Sequence, residues 1–138
     1  MWPPTVPPPD TATAGWWHAT EEHRLTLQGC ESCGSRQHPP RSLCIRCGET
    51  GRLRLADAAG TGRVDTYTVV HRAPSPDLEV PYVIARVRLD EGVILLTRLE
   101  GAEPDAWRIG DRVSVTWVDL PDERALPVFV PTDEPAGS

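Results

Sequence analysis

The amino-acid sequence predicts a mainly β protein with a short N-terminal helix, a small four-cysteine ribbon and a closed five-stranded barrel. Three observations predict it. All four cysteines fall in two C-x-x-C pairs between residues 30 and 47. Five alternating, β-branched segments follow, bounded by glycine and proline. Residues 13–24 carry no β-branched run and suit a short helix. At 138 residues the chain is one domain or two small ones. A lobe below about 40 residues rarely folds without a disulfide or a metal.

The elements follow in order. Residues 1–12 hold prolines at 3, 4, 7, 8 and 9, which favour extended conformation and predict a disordered tail or a linker to a further domain. Residues 13–29 supply the helix, with Thr13 as expected N-cap, and a lead-in strand at Leu25–Gln28. Trp16 and Trp17 are adjacent, so one helix face cannot bury both. Both are partner-interface candidates, one packing inward while the other meets a partner. Residues 30–55 form the ribbon and residues 56–131 the barrel. Barrel strands are expected at 63–71, 82–89, 93–99, 112–118 and 126–130. In the second, Val83, Ala85, Val87 and Leu89 line one face and Arg86 and Arg88 the other. Asp90-Glu91-Gly92 reads as a tight turn, and Pro104 to Gly110 as a connection with a single helical turn. Five short strands of this spacing suit the OB fold. Residues 132–138 read as a second disordered tail.

Cys30-x-x-Cys33-Gly34 and Cys44-x-x-Cys47-Gly48 carry the strongest chemical signal. Two intervening residues let both sulfurs of a tight turn face one ion, and the following glycine permits the positive φ that closes the turn. Two such knuckles complete a tetrahedral site of four thiolates, one structural Zn²⁺ being the expected occupant, in the manner of a rubredoxin-like zinc ribbon. Iron takes the same ligands, so zinc and iron both stay open. Pro39-Pro40 offers a stiff turn between the knuckles and Leu43 a small apolar contact. No basic start or apolar core of a signal peptide opens the chain, and no run reaches the ~18 apolar residues of a membrane helix. The expectation is a cytoplasmic protein with reduced thiols and no membrane partner.

Charge is uneven. All fourteen basic residues are arginine, and net charge is −6. Residues 30–54 carry five arginines against two glutamates, while residues 55–138 carry eight against fifteen acids. A phosphate-tracking surface needs the opposite sign on the barrel, so nucleic acid is not the expected partner. With the cysteines engaged and no lysine present, no thiol or Schiff-base nucleophile remains. His71, at a strand end, is the histidine best placed to border a site; Asp90 and Glu91 are most simply turn residues, although paired acids can serve in acid–base chemistry. Neither makes a catalytic constellation, and no catalytic residue is assigned.

The order of motifs resembles a known family. A tryptophan-bearing helix and Leu25–Gln28 precede C-x-x-C-G, Pro39-Pro40-Arg41 and a second C-x-x-C-G. Then come Gly60-Thr61-Gly62-Arg63-Val64, Tyr67 to His71, Pro81-Tyr82-Val83, Leu89 to Gly92, Ile109-Gly110 and Leu126-Pro127-Val128-Phe129. Over residues 15–131 this is similar to the acyl-CoA-associated zinc-ribbon/OB-fold family, long catalogued as a domain of unknown function. The resemblance implies a non-catalytic companion of thiolase-like, lipid-transfer-protein-like enzymes that make or break carbon–carbon bonds on acyl-CoA. Its sharpest form is the aldolase of bacterial steroid side-chain degradation, as a two-plus-two heterotetramer. There the unit resembles the C-terminal part of an enoyl-CoA hydratase subunit. Arg36, Arg41 and Arg46 become candidates for coenzyme A phosphates, since arginine presents a forked donor array. A single-stranded nucleic-acid module and a free-standing acyl-CoA carrier are the alternatives.

Overall fold

The structure is a computed structural model describing residues 6–76 and 78–132; the parts of the expected tails at 1–5 and 133–138 lie outside the described residues. It is mostly strand, and contacts divide it into two compact units. One joins Pro7–Ala59 to Asp119–Leu126, and the other runs from Gly60 to Val118 and resumes at Pro127.

In the first unit, α1 (Ala14–Thr20) buries Trp16, Ala19 and Thr20. Their i, i+3, i+4 spacing forms one apolar stripe. The Trp16 indole N–H donates to the Thr26 carbonyl at 3.1 Å, fixing the helix on the first strand. Trp17 stays half-buried, its ring edge-on to Trp16 with centroids 4.9 Å apart. The cap differs from the expected one. Thr13 makes no side-chain cap bond. Asp10 caps instead, its carboxylate accepting from Thr13 N at 2.9 Å and its carbonyl from Ala14 N at 2.9 Å. The Asp10 carboxyl is held below its usual range by these Thr13 bonds. Part of the segment expected as a tail therefore has fixed contacts, and Pro7 O also accepts from Arg124 at 2.7 Å. The helix stops earlier than its composition allows, because His23 turns to φ 56° and Arg24 N bonds back to Ala19 O.

Strands β1 (Thr26–Cys30), β2 (Arg36–Gln37) and β3 (Leu53–Asp57) form an antiparallel sheet with β1 at its centre. Gln28 pairs with Gln37 on one side and Leu55 on the other. The His38 ring lies against Trp16, centroids 5.4 Å apart, and its buried Nδ1 has no partner among the described residues.

The second unit is the barrel: β4 (Thr61–Val70), β5 (Tyr82–Leu89), β6 (Ile94–Leu99), β7 (Arg112–Asp119) and β8 (Ala125–Pro131), closed in the order β4-β5-β6-β8-β7. Val83, Ala85, Val87 and Leu89 are buried as their alternation predicts, and Arg86 and Arg88 are exposed. Trp107 and Phe129 complete the core with Val64, Val113 and Val128. A bulge between Val64 and Thr66 shifts the β4–β5 register. The single helical turn lies at Pro104–Ala106, and Gly92, at φ 91°, closes the β5–β6 turn. The β7–β8 connection, residues 119–126, belongs by its contacts to the first unit. Ala125 N donates to Thr20 Oγ1 at 3.1 Å, the Arg124 guanidinium lies 4.6 Å over the Trp17 ring, and His23 meets Asp119 at 2.7 Å.

Two outcomes follow from this packing. A Cβ on Gly62 would stand 2.4 Å from the Arg88 carbonyl oxygen, which belongs to backbone and cannot swing aside. Gly62→Ala should cost about 1–3 kcal/mol in chemical denaturation, the usual range for overpacking, whereas the Cβ of Gly92→Ala meets nothing within 4 Å and adds only its backbone strain. Burial pushes the His38 imidazole down to about 4. A folded value below the unfolded one contributes stability above about pH 6.5 that is lost as pH falls toward 4. Thermal midpoints taken between pH 7 and 5 should fall less steeply for His38→Phe than for the unaltered chain.

Candidate metal centre

The two C-x-x-C turns have the same backbone wiring. In the first, Gly34 N donates to Cys30 O at 2.8 Å and Cys30 N to Ser35 O at 2.9 Å. In the second, Gly48 N donates to Cys44 O at 2.9 Å and Cys44 N to Glu49 O at 2.9 Å. Gly34 and Gly48 sit at φ 80° and 82°, the left-handed conformation that closing each turn requires.

Face to face, the turns bring the four sulfurs within 4.8 Å of one another. Cys30 Sγ lies 3.6 Å from Cys47 Sγ, and Cys33 Sγ 3.7 Å from Cys44 Sγ. A tetrahedron with ~2.3 Å metal–sulfur bonds has edges of ~3.8 Å, so the set fits a single ion. No disulfide joins them, and the sulfur separations exceed the ~2.05 Å of an S–S bond. Cys30 and Cys44 are buried while Cys33 and Cys47 face outward. Ser35 stands between the turns, its Oγ 3.1 Å from Cys33 Sγ and 3.3 Å from Cys44 Sγ. That hydroxyl, with the N–H groups of Cys47 and Arg46, lowers the Cys44 thiol to about 6, and Ser35 lowers Cys33 as well. Thiolates are the ligand form, which these donors favour at Cys33 and Cys44; at Cys47 the Glu49 N–H lowers the thiol, but burial and the three neighbouring sulfurs outweigh it and push it up to about 12.

What holds the second turn in place was not foreseen. Two buried glutamines interlock, Gln37 Nε2 donating to Gln28 Oε1 at 2.6 Å. Gln28 also accepts from Arg41 N and donates to Arg41 O, both at 2.9 Å. Gln37 donates to Leu43 O and accepts from Ile45 N, both at 2.9 Å. The pair thus grips the backbone on both sides of Cys44. Leu43, the expected apolar contact of this loop, is 46% exposed instead. A glutamine at the end of an alternating strand, Leu25-Thr26-Leu27-Gln28, is the one signal that could have drawn attention to the network.

The remaining candidates are scattered. Arg36, Arg41 and Arg46 are exposed, and none makes an ion pair among the described residues. The backbone of Arg41 is fixed by Gln28, and Arg46 N donates to Cys44 Sγ at 3.4 Å. Trp16 is only 7% exposed and packs inward, leaving Trp17 the more accessible of the two. His71 is exposed. Asp90 is tied to Arg112 at 2.7 Å and accepts from the Thr61 hydroxyl, and these bonds hold its carboxyl below the usual range. Among the described residues no helix is long and apolar enough to cross a membrane.

With ribbon, barrel and cysteine geometry established, comparison with known proteins is decisive. Residues 17–54 match the family described as ChsH2, rubredoxin-like zinc ribbon domain, and residues 56–118 match ChsH2, C-terminal OB-fold domain. A DUF35 domain-containing scaffold protein of Methanothermobacter thermautotrophicus is 31% identical over 110 residues, covering 78% of this chain and 82% of its own. This chain belongs to the DUF35 family. A probable enoyl-CoA hydratase alpha subunit of Thermomonospora curvata is 42% identical over 118 residues, 86% of this chain and 37% of that protein. The 3-oxo-4,17-pregnadiene-20-carboxyl-CoA hydratase alpha subunit of Mycobacterium tuberculosis is 36% identical over 80% of this chain and 35% of its own. The chain therefore spans little more than a third of these two hydratase subunits. A solved structure titled Ltp2-ChsH2(DUF35) aldolase superposes with a TM-score of 0.83 at 40% identity, covering 91% of this chain and 98% of the other. A DUF35 protein of unknown function from Sulfolobus solfataricus shares the fold, with a TM-score of 0.64 at 19% identity.

The cluster sets its own test. Cys33→Ser leaves three thiolates and should abolish stoichiometric metal binding by elemental analysis. Because such binding supplies folding free energy on the order of 10 kcal/mol, the ribbon should also lose its far-UV signature, while unchanged metal content would refute the site.

Proposed function

We propose that this chain is a non-catalytic accessory subunit of a thiolase-like enzyme acting on carbon–carbon bonds of acyl-CoA thioesters. The sharpest form of the proposal is the aldolase of bacterial steroid side-chain degradation. The observation that carries it is the likeness to the Ltp2-ChsH2(DUF35) aldolase chain, nearly all of which this chain covers at 40% identity. The archaeal relatives named as scaffold proteins point the same way, and the pregnadiene-carboxyl-CoA hydratase subunit supports the steroid context. In this reading Cys30, Cys33, Cys44 and Cys47 hold one Zn²⁺ as a structural ion. Four thiolates leave no open coordination position for water, so the metal shapes the ribbon and performs no chemistry.

The partner supplies the reacting groups, and this chain supplies a rigid wall beside its acyl-CoA site. Trp17, half-buried beneath the Arg124 guanidinium, is the interface residue of the pair, with Trp16 anchoring the helix from within. Arg36, Arg41 and Arg46 are the exposed cations offered to coenzyme A phosphates. The assembly is a two-plus-two heterotetramer in the cytoplasm.

Capture of the tagged chain from source-cell lysate, followed by mass spectrometry, should recover a thiolase-like subunit in equal amount. Recovery of nucleic acid alone would overturn the reading. In the reconstituted complex, Arg41→Ala with Arg46→Ala should raise KM for the acyl-CoA at least severalfold with kcat little changed, since a phosphate contact remote from the reacting bond acts through binding. Equal kinetics would remove the phosphate role and leave the accessory role standing.

A further inference from the structure

We infer that Ser35 is a positioning residue of the metal centre, and that its hydroxyl sets how tightly the four thiolates retain their ion. The inference rests on the metal reading of the four cysteines. Four thiolates around a divalent ion leave a net charge of about −2, and each hydrogen bond donated to a sulfur spreads that charge. Ser35 Oγ lies within hydrogen-bond reach of one sulfur from each turn, 3.1 Å from Cys33 and 3.3 Å from Cys44. Its single proton serves one sulfur at a time, so the hydroxyl bridges the turns by alternating between them.

Among the described residues, Ser35 is the only side chain other than the cysteines themselves that bonds these sulfurs. The companion bond from Arg46 N comes from backbone and persists through any side-chain change at position 46 except proline. Ser35 is itself anchored through its carbonyl, which accepts from Cys30 N at 2.9 Å, so the hydroxyl can be removed while the turn keeps its wiring. Outer partners of metal ligands of this kind commonly carry 10–100-fold in metal affinity.

The test uses the full zinc-loaded chain, unaltered and as Ser35→Ala and Ser35→Thr. Transfer of zinc to a chromogenic chelator should be about tenfold or more faster from Ser35→Ala, while Ser35→Thr, which keeps the hydroxyl, should restore slow release. Loaded with Co²⁺, Ser35→Ala should show thiolate-to-metal charge-transfer bands moved to lower energy, because sulfurs relieved of a donor are more electron-rich. A purely packing role would leave those bands in place. Unchanged release with unchanged bands overturns the proposal. Failure of the unaltered chain to bind zinc or cobalt overturns the metal reading along with it, so the two failures are told apart by the unaltered protein alone.

Discussion

Four sulfur atoms within 4.8 Å of one another are the constraint from which the smaller unit is built. Thiols brought this close without an ion are of little use to a fold. The geometry around them fits one. The turns repeat the same two backbone bonds, each ends on a left-handed glycine, and donors from Ser35, Arg46 and Cys47 favour the thiolate form of Cys44. The three-stranded sheet is too small to bury a large apolar core. Beside the buried Trp16, Leu25 and Leu27 it carries a polar pair, Gln28–Gln37, whose amides satisfy each other and the backbone of the loop they enclose. A buried amide network of this kind is costly when half made and stiff when complete, which suits a ribbon that holds four cysteines facing one point.

The barrel follows a different logic. Its core is apolar and continuous, from Val64 through Val87 and Leu89 to Trp107 and Phe129, and closure abolishes exposed strand edges. Close approach at Gly62 lets β4 lie flat on the Arg88 backbone. Arginines on the outward positions of β5 keep that face solvated, with Arg86 and Arg88 both within 4 Å of Asp65. Such exposed pairs contribute little to stability, so they leave the surface available for other uses.

The distribution of charge bears on partners. The barrel segment is acidic and the ribbon segment arginine-rich within a chain of net −6, a balance that disfavours broad polyanion binding. In the accessory role proposed above, such a chain would contribute binding surface to a partner that carries the chemistry.

Much of this was legible in the chain itself, for identifiable reasons. The four-cysteine cluster was readable because C-x-x-C-G is a local device whose geometry is completed within five residues. The barrel strands were readable because period-two alternation in Tyr82–Leu89 records which side faces the core. Relationships between distant residues were not. Asp10 rather than Thr13 caps the helix, since a cap is decided by where the preceding backbone travels. Leu43 faces outward because the Gln28–Gln37 pair, joined across two strands, already fills the loop it was expected to pack. The hairpin at 119–126, sequentially barrel, takes its contacts with Thr20 and Trp17, and nothing in its own residues announces that. The sequence by itself determined the cysteine cluster, the strands and the acidic barrel, because each is written in residue type and spacing. Tertiary structure alone decided which hydroxyl meets the sulfurs, which tryptophan is buried and which amides clamp the second turn, because those depend on distances that close only when separated segments meet.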